Sequence, residues 1–221
     1  MKKRVIAFLS CIVAWVLSSA QSVYAHNGDV FKGSYVLDRQ KNLKLRISMS
    51  AQTSLMNREV YESALKWNDI SSNVHITVIM ETPGMPSIAD TMGVYDGRGG
   101  NLNGPDLLKT MGYYGLTQFF DSNGNQVSHD EKCDHARILI NVNHPDYSRT
   151  GDPVIAASMN FTHEVGHVLM LSHPVKGSAG HSFWNSLPYA VMNQGLPQKN
   201  KEVSYLPTEH DKSCLIAKWG V

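Results

Sequence analysis

Cysteine is nearly absent from this chain, neither sign of charge dominates, and no apolar run is long enough to cross a bilayer. The 221 residues hold three cysteines and 20 basic against 19 acidic side chains, a formal net charge of +1. So even a balance excludes a polybasic nucleic-acid binder and an acidic interaction tail. With 42% hydrophobic and 18% charged residues, a natively disordered chain is excluded too. Repeats and low-complexity tracts are missing, and no linker divides the chain after residue 35. The apolar run at residues 5–17 falls short of the roughly 18 residues that a spanning helix needs.

What charge imbalance exists is local. Lys2, Lys3 and Arg4 precede the apolar run, no acidic residue falls among the first 25, and Val23-Tyr24-Ala25 stands before His26. This is the layout of an export signal cut after Ala25, with a membrane anchor or a lipid-modified Cys11 as the alternatives. The expected organisation is a signal peptide over 1–25, a short N-terminal segment over 26–34 that could act as a pro-segment, and one domain over 35–221. Removing the signal leaves 17 basic and 19 acidic groups, a net charge of −2. The product is secreted or periplasmic, without stable membrane insertion, and monomeric. Cys133 and Cys214 would then be the remaining cysteines. In an oxidising compartment they read as one disulfide, the alternative being two separate buried thiols. No metal-ligand or redox spacing is read at either cysteine.

Periodicity gives a mixed succession of elements. Residues 43–49 alternate apolar and polar, the period of a half-buried strand. Residues 57–70 fit a helix, with Val60, Ala64, Leu65 and Trp67 along one face, and 73–80 are again strand-like. Residues 83–104 are rich in Gly, Pro and Asp and read as irregular. Residues 113–128 suggest a hairpin around Asp121-Ser122-Asn123-Gly124-Asn125, and 137–142 a strand. Helices follow over 156–171 and 208–219, the latter capped by Thr208 with Asp211, and a loop over 177–195 separates them.

The chemistry gathers in Thr162-His163-Glu164-Val165-Gly166-His167-Val168-Leu169-Met170-Leu171-Ser172-His173. Positions four apart on a helix share one face, so His163 and His167 aim two imidazoles at one point, a zinc-ligand spacing. Glu164 stands beside the first as a candidate general base for water. A third ligand is required. His173 can reach the site only if the chain turns sharply after Leu169, which puts Met170 where a positive φ is needed; Glu202 and Glu209 are the rivals. Pro174 shows that the helix has ended by then.

The run from His163 through His167 to His173, followed by Tyr189-Ala190-Val191-Met192-Asn193, resembles the extended zinc motif and Met-turn of the metzincin metalloproteases, and most of all their matrixin-like group. The likeness covers roughly residues 34–220, although only these two motifs are specific. It implies an α+β catalytic domain: a twisted, mostly parallel sheet with an antiparallel edge strand, a zinc-binding helix and a C-terminal helix. It also implies His163, His167 and His173 as ligands of one catalytic zinc, Glu164 as the base, and Met192 as a hydrophobic floor beneath the metal. The strand before the zinc helix would be the sheet edge that pairs with extended substrate, namely Arg137, Ile138, Leu139, Ile140 and Asn141, with Tyr189 walling the pocket beyond the cleaved bond.

The expected function is hydrolysis of protein or peptide substrates by a zinc-activated water. The alternatives are a zinc hydrolase with a glutamate as third ligand and a non-catalytic zinc-binding protein of the same fold. Met170 departs from the family pattern, which has glycine there, and no early cysteine switch is present. His129, His135 and His144 read as loop or surface residues. Asp121–Asn125 reads as a turn more than as a calcium loop, with Asp96 and Asp106 as further calcium candidates. In the N-terminal segment, Asp29 or His26 could place a ligand on the zinc and hold the protein latent, the alternative being a disordered tail.

Overall fold

The computed structural model describes residues 29–35, 42–86, 91–96, 112–174, 191–193 and 205–221. The stretch 1–25 expected to be an export signal, His26, Asp106, Tyr189 and Glu202 therefore lie outside the described residues.

The strands in chain order are β1 (Ser34–Tyr35), β2 (Leu43–Ile47), β3 (Ile76–Met80), β4 (Thr91–Asp96), β5 (Gly115–Phe120), β6 (Gln126–Val127), β7 (Lys132–Cys133) and β8 (His135–Ile140). The helices are α1 (Arg58–Glu62), which runs on into a 3-10 turn at Ser63–Trp67, α2 (Pro153–Val168) and α3 (Glu209–Trp219). A six-stranded sheet has the order β3-β2-β4-β8-β5-β6. Its β2, β3, β4 and β8 run parallel, while β5 is antiparallel to β8 and β6 to β5. β1 and β7 form a separate parallel pair. The fold is mixed α/β around a mostly parallel sheet.

Local sequence accounts for the elements. β2 buries Leu43, Leu45 and Ile47 and turns Lys44 and Arg46 outward, as its alternation demands. The hairpin joining β5 to β6 is closed by Asp121, whose Oδ1 accepts from the backbone N–H of Asn123 at 2.9 Å and of Asn125 at 2.8 Å. Hydrogen bonds from Asn125 hold that carboxyl below its usual range. The carboxylate serves the turn.

α2 opens on Asp152, whose side chain accepts from Val154 N and Ile155 N, with Pro153 in the first turn. It packs on α1, the 3-10 turn, β5 and β8. Trp67 is wholly buried against it and donates its indole N–H to Thr162 O at 3.0 Å. Tyr61 and Phe161 meet edge to face at 4.8 Å. The helix ends in paired bonds, Met170 N to His167 O at 2.8 Å and Leu171 N to Gly166 O at 2.9 Å, the pattern of a Schellman stop.

Met170 occupies the left-handed position of that stop, at φ 65°, and is wholly buried. Left-handed backbone costs a non-glycine residue about 1–2 kcal/mol. Emptying a buried methionine site costs about 2–5 kcal/mol. Packing outweighs strain, so Met170→Gly is expected to lower stability by about 1–3 kcal/mol in urea unfolding, even though glycine suits the backbone better. A stabilised variant would mean that the Met170 side chain contributes no packing.

Strand β4 runs through the stretch 83–104 expected to be irregular, and two expectations about the site are corrected as well. Cys133 and Cys214 are free, buried thiols and form no disulfide. Each thiol has its own surroundings: Cys133 Sγ lies 3.8 Å from Ser34 O in the β1–β7 pair, whereas Cys214 Sγ faces His210 from the next turn of α3. Burial pushes both thiols up to about 12. The second correction concerns Arg137, Ile138, Leu139, Ile140 and Asn141 as a substrate-pairing edge. β8 is an interior strand, with β4 on one side and β5 on the other, so its backbone groups already have partners. Asn141, just beyond it, donates its N–H to Tyr114 O at 2.9 Å.

Candidate metal centre and cleft

The turn at Met170 brings His173 back to the face of α2 that carries His163 and His167. Nε2 of His173 stands 3.1 Å from Nε2 of His163 and 3.2 Å from Nε2 of His167. Tetrahedral zinc with Zn–N bonds near 2.0–2.1 Å separates its nitrogen donors by about 3.3–3.4 Å, so the triad has the span of a zinc site. The other ring nitrogens fix the tautomers. His163 Nδ1 donates to Val191 O at 2.7 Å and His167 Nδ1 to Leu171 O at 2.8 Å. Each Nε2 of those two rings is then left with a lone pair turned toward the common point. Burial keeps the imidazoles neutral: it lowers His163 to about 4, and it lowers His167 and His173 as well. Neutral rings, lone pairs converging and donor spacing all fit a divalent metal.

Glu164, next along α2, is buried with 4% exposure. Thr117 of β5 donates its hydroxyl to Glu164 Oε2 at 2.7 Å. Burial raises the Glu164 carboxyl to about 7, and the Thr117 bond pulls against that rise. Gly115 is where β5 comes closest: a Cβ there would lie 2.7 Å from Glu164 Cγ. Thr117 and Gly115 were not singled out from the sequence, because only the antiparallel return of β5 brings them to α2.

Beneath the triad, Gly166 meets Met192 and Trp67, and a Cβ at residue 166 would overlap Met192 Sδ. Met192 thus packs directly on the helix that carries the histidines. Asp211 of α3 holds this turn in place, accepting from Val191 N at 3.1 Å and Met192 N at 3.3 Å while also closing the capping box with Thr208.

The metal-capable triad opens on a cleft of about 850 Å³ whose lining includes Phe31, Tyr113, Thr117, Glu164 and His173. Phe31 lies over the His167 ring, centroids 5.6 Å apart and nearly parallel. Along β5, β6 pairs only with Phe119 and Phe120, so the outer side of Gly115–Gln118 has no strand partner among the described residues.

Further expected residues lie elsewhere. Glu209 is 90% exposed at the start of α3, paired with Lys212 Nζ at 2.7 Å, and is not a third ligand. Asp29 does not join the histidines. It is buried beside His210, Oδ2 to Nε2 3.2 Å, and its segment is hydrogen-bonded into the fold through Phe31 N to Met170 O and Ser172 N to Asp29 O. His129 meets Phe31 at a tilt at the cleft, His135 stacks on Phe120 and His144 lies tilted against Tyr114, and none of them belongs to a metal-capable group among the described residues. No protein-family model matches the chain, and no curated protein matches it either.

Proposed function

We propose that this protein is an exported zinc endopeptidase of the metzincin type, resembling the matrixin-like group in its zinc motif and Met-turn. The observation that carries the proposal is the convergence of three imidazole Nε2 atoms, with a buried carboxylate beside them, at the open side of a strand. His163, His167 and His173 would hold the zinc, and Met192 would floor it. Zinc, when bound, supplies a Lewis acid that polarises a carbonyl and acidifies water.

The chain's own groups supply the rest. Thr117 fixes one oxygen of Glu164 and leaves the other for the reacting proton. A carboxyl raised by burial toward neutrality suits both halves of its task. Glu164 accepts the proton of the water that attacks the scissile carbonyl carbon and then delivers it to the nitrogen of the departing amine. The outward-facing N–H and C=O groups of Gly115–Gln118, which have no strand partner among the described residues, can take an extended peptide as an added strand, which would lay its backbone across the cleft. This role passes to β5 from β8.

The test is digestion of denatured casein and a mixed peptide library by zinc-loaded protein. Cleavage is expected, with loss on removing the metal by a chelator and recovery when zinc is returned. Zinc-loaded, folded protein that cuts neither substrate would leave a non-catalytic metal-binding protein as the reading.

A further inference from the structure

Away from the cleft, a second set of metal-capable donors converges. Asp29 in the N-terminal segment meets His210 and Cys214 of α3, with one ligand atom from each within 4.8 Å of the others. We propose that Asp29, His210 and Cys214 form a second metal site, which takes zinc or a similar thiophilic divalent cation and fastens the N-terminal segment to α3.

The spacing argues for it first. His210 and Cys214 stand four apart on one helix, the same face-sharing relation as His163 and His167 on α2. Distances argue for it next. His210 Nε2 lies 3.2 Å from Asp29 Oδ2 and 3.6 Å from Cys214 Sγ. A tetrahedral zinc with ordinary bond lengths puts nitrogen and oxygen about 3.3 Å apart and nitrogen and sulfur about 3.5 Å apart.

Charge is the third argument. One thiolate and one carboxylate neutralise a divalent cation, so the loaded site carries no net charge into its buried setting. Asp29 is 1% and Cys214 3% exposed. Loading is balanced by one proton: the Cys214 S–H bond breaks, the sulfur–metal bond forms, and the proton leaves to solvent. A water completes the coordination.

The site would also steady the cleft. Asp29 O accepts from Ser172 N, and Ser172 immediately precedes His173. Anchoring Asp29 to α3 therefore limits the motion of the segment that carries the third histidine.

Cobalt titration of metal-stripped protein tests this without reference to turnover. The purified protein is expected to take two equivalents, one of which produces thiolate-to-cobalt charge-transfer absorption in the near ultraviolet. Cys214→Ser should lose that band and bind one equivalent, and Cys133→Ser should keep both. A His163→Ala/His167→Ala variant should bind one equivalent with the band retained, which separates this site from the triad. Wild-type protein without the band overturns the proposal, however the variants fold. A band that survives in Cys214→Ser and disappears in Cys133→Ser overturns it as well.

Discussion

Glu164→Gln is expected to fold, to bind zinc with unchanged stoichiometry and to hydrolyse peptides on the order of 10³-fold more slowly, within the range that a positioned general base contributes. The amide keeps the shape of the side chain and loses the lone-pair basicity. Because the base acts on a proton in flight, the loss should fall on kcat much more than on KM. Thr117→Val should give a smaller loss of the same kind, since it frees the carboxylate without removing it, and Thr117→Ser should restore most of the rate. Steady-state kinetics on one fluorogenic peptide, with zinc measured in each sample, distinguishes these outcomes. Comparable rates for wild type and Glu164→Gln would assign the proton transfer to another group.

His173→Ala removes one of three converging nitrogens and is expected to abolish both zinc retention and hydrolysis. Its effect on metal affinity should exceed the roughly 10–100-fold that outer partners of a ligand contribute. Glu209→Ala should leave zinc content unchanged, since that side chain sits in solvent at the head of α3. Zinc analysis after dialysis is the measurement. A His173→Ala protein that holds its full complement of zinc would remove the triad, and with it the metzincin reading.

Much of this centre was legible in the sequence because it depends on short-range geometry. The step of four between His163 and His167 becomes a shared face in any helix, and the need for a turn before His173 singles out Met170, which does carry φ 65°. The Thr208–Asp211 cap is likewise local, and it forms as a reciprocal box. The second task of Asp211, holding Val191 and Met192, is not local and could not be read.

Errors arose where long-range placement decides. The position of β8 inside the sheet follows from pairings on both sides, although Ile138-Leu139-Ile140 is the unbroken apolar run of a strand covered on both faces. Cysteine number and compartment suggested a bond, but Cys133 and Cys214 are free thiols in separate surroundings. The His210–Cys214 step of four was not read as a ligand spacing, because its third donor, Asp29, is brought to α3 only by the fold.

The anchoring of Val191 and Met192 to Asp211 bears on the order of assembly. α2 and its C-terminal turn can form from neighbouring residues, and two of the three imidazoles are then roughly aligned. The ring of His163, however, is fixed by Val191 O, and Val191 is fixed by a carboxylate on α3. Trp219 of the same helix donates to Leu169 O at 2.8 Å, at the bend that returns His173. Closing these long loops is the slow, entropically opposed part of folding. A chain still emerging from the ribosome thus lacks the helix that aligns its three histidines, so the proposed hydrolytic activity would wait until α3 has docked.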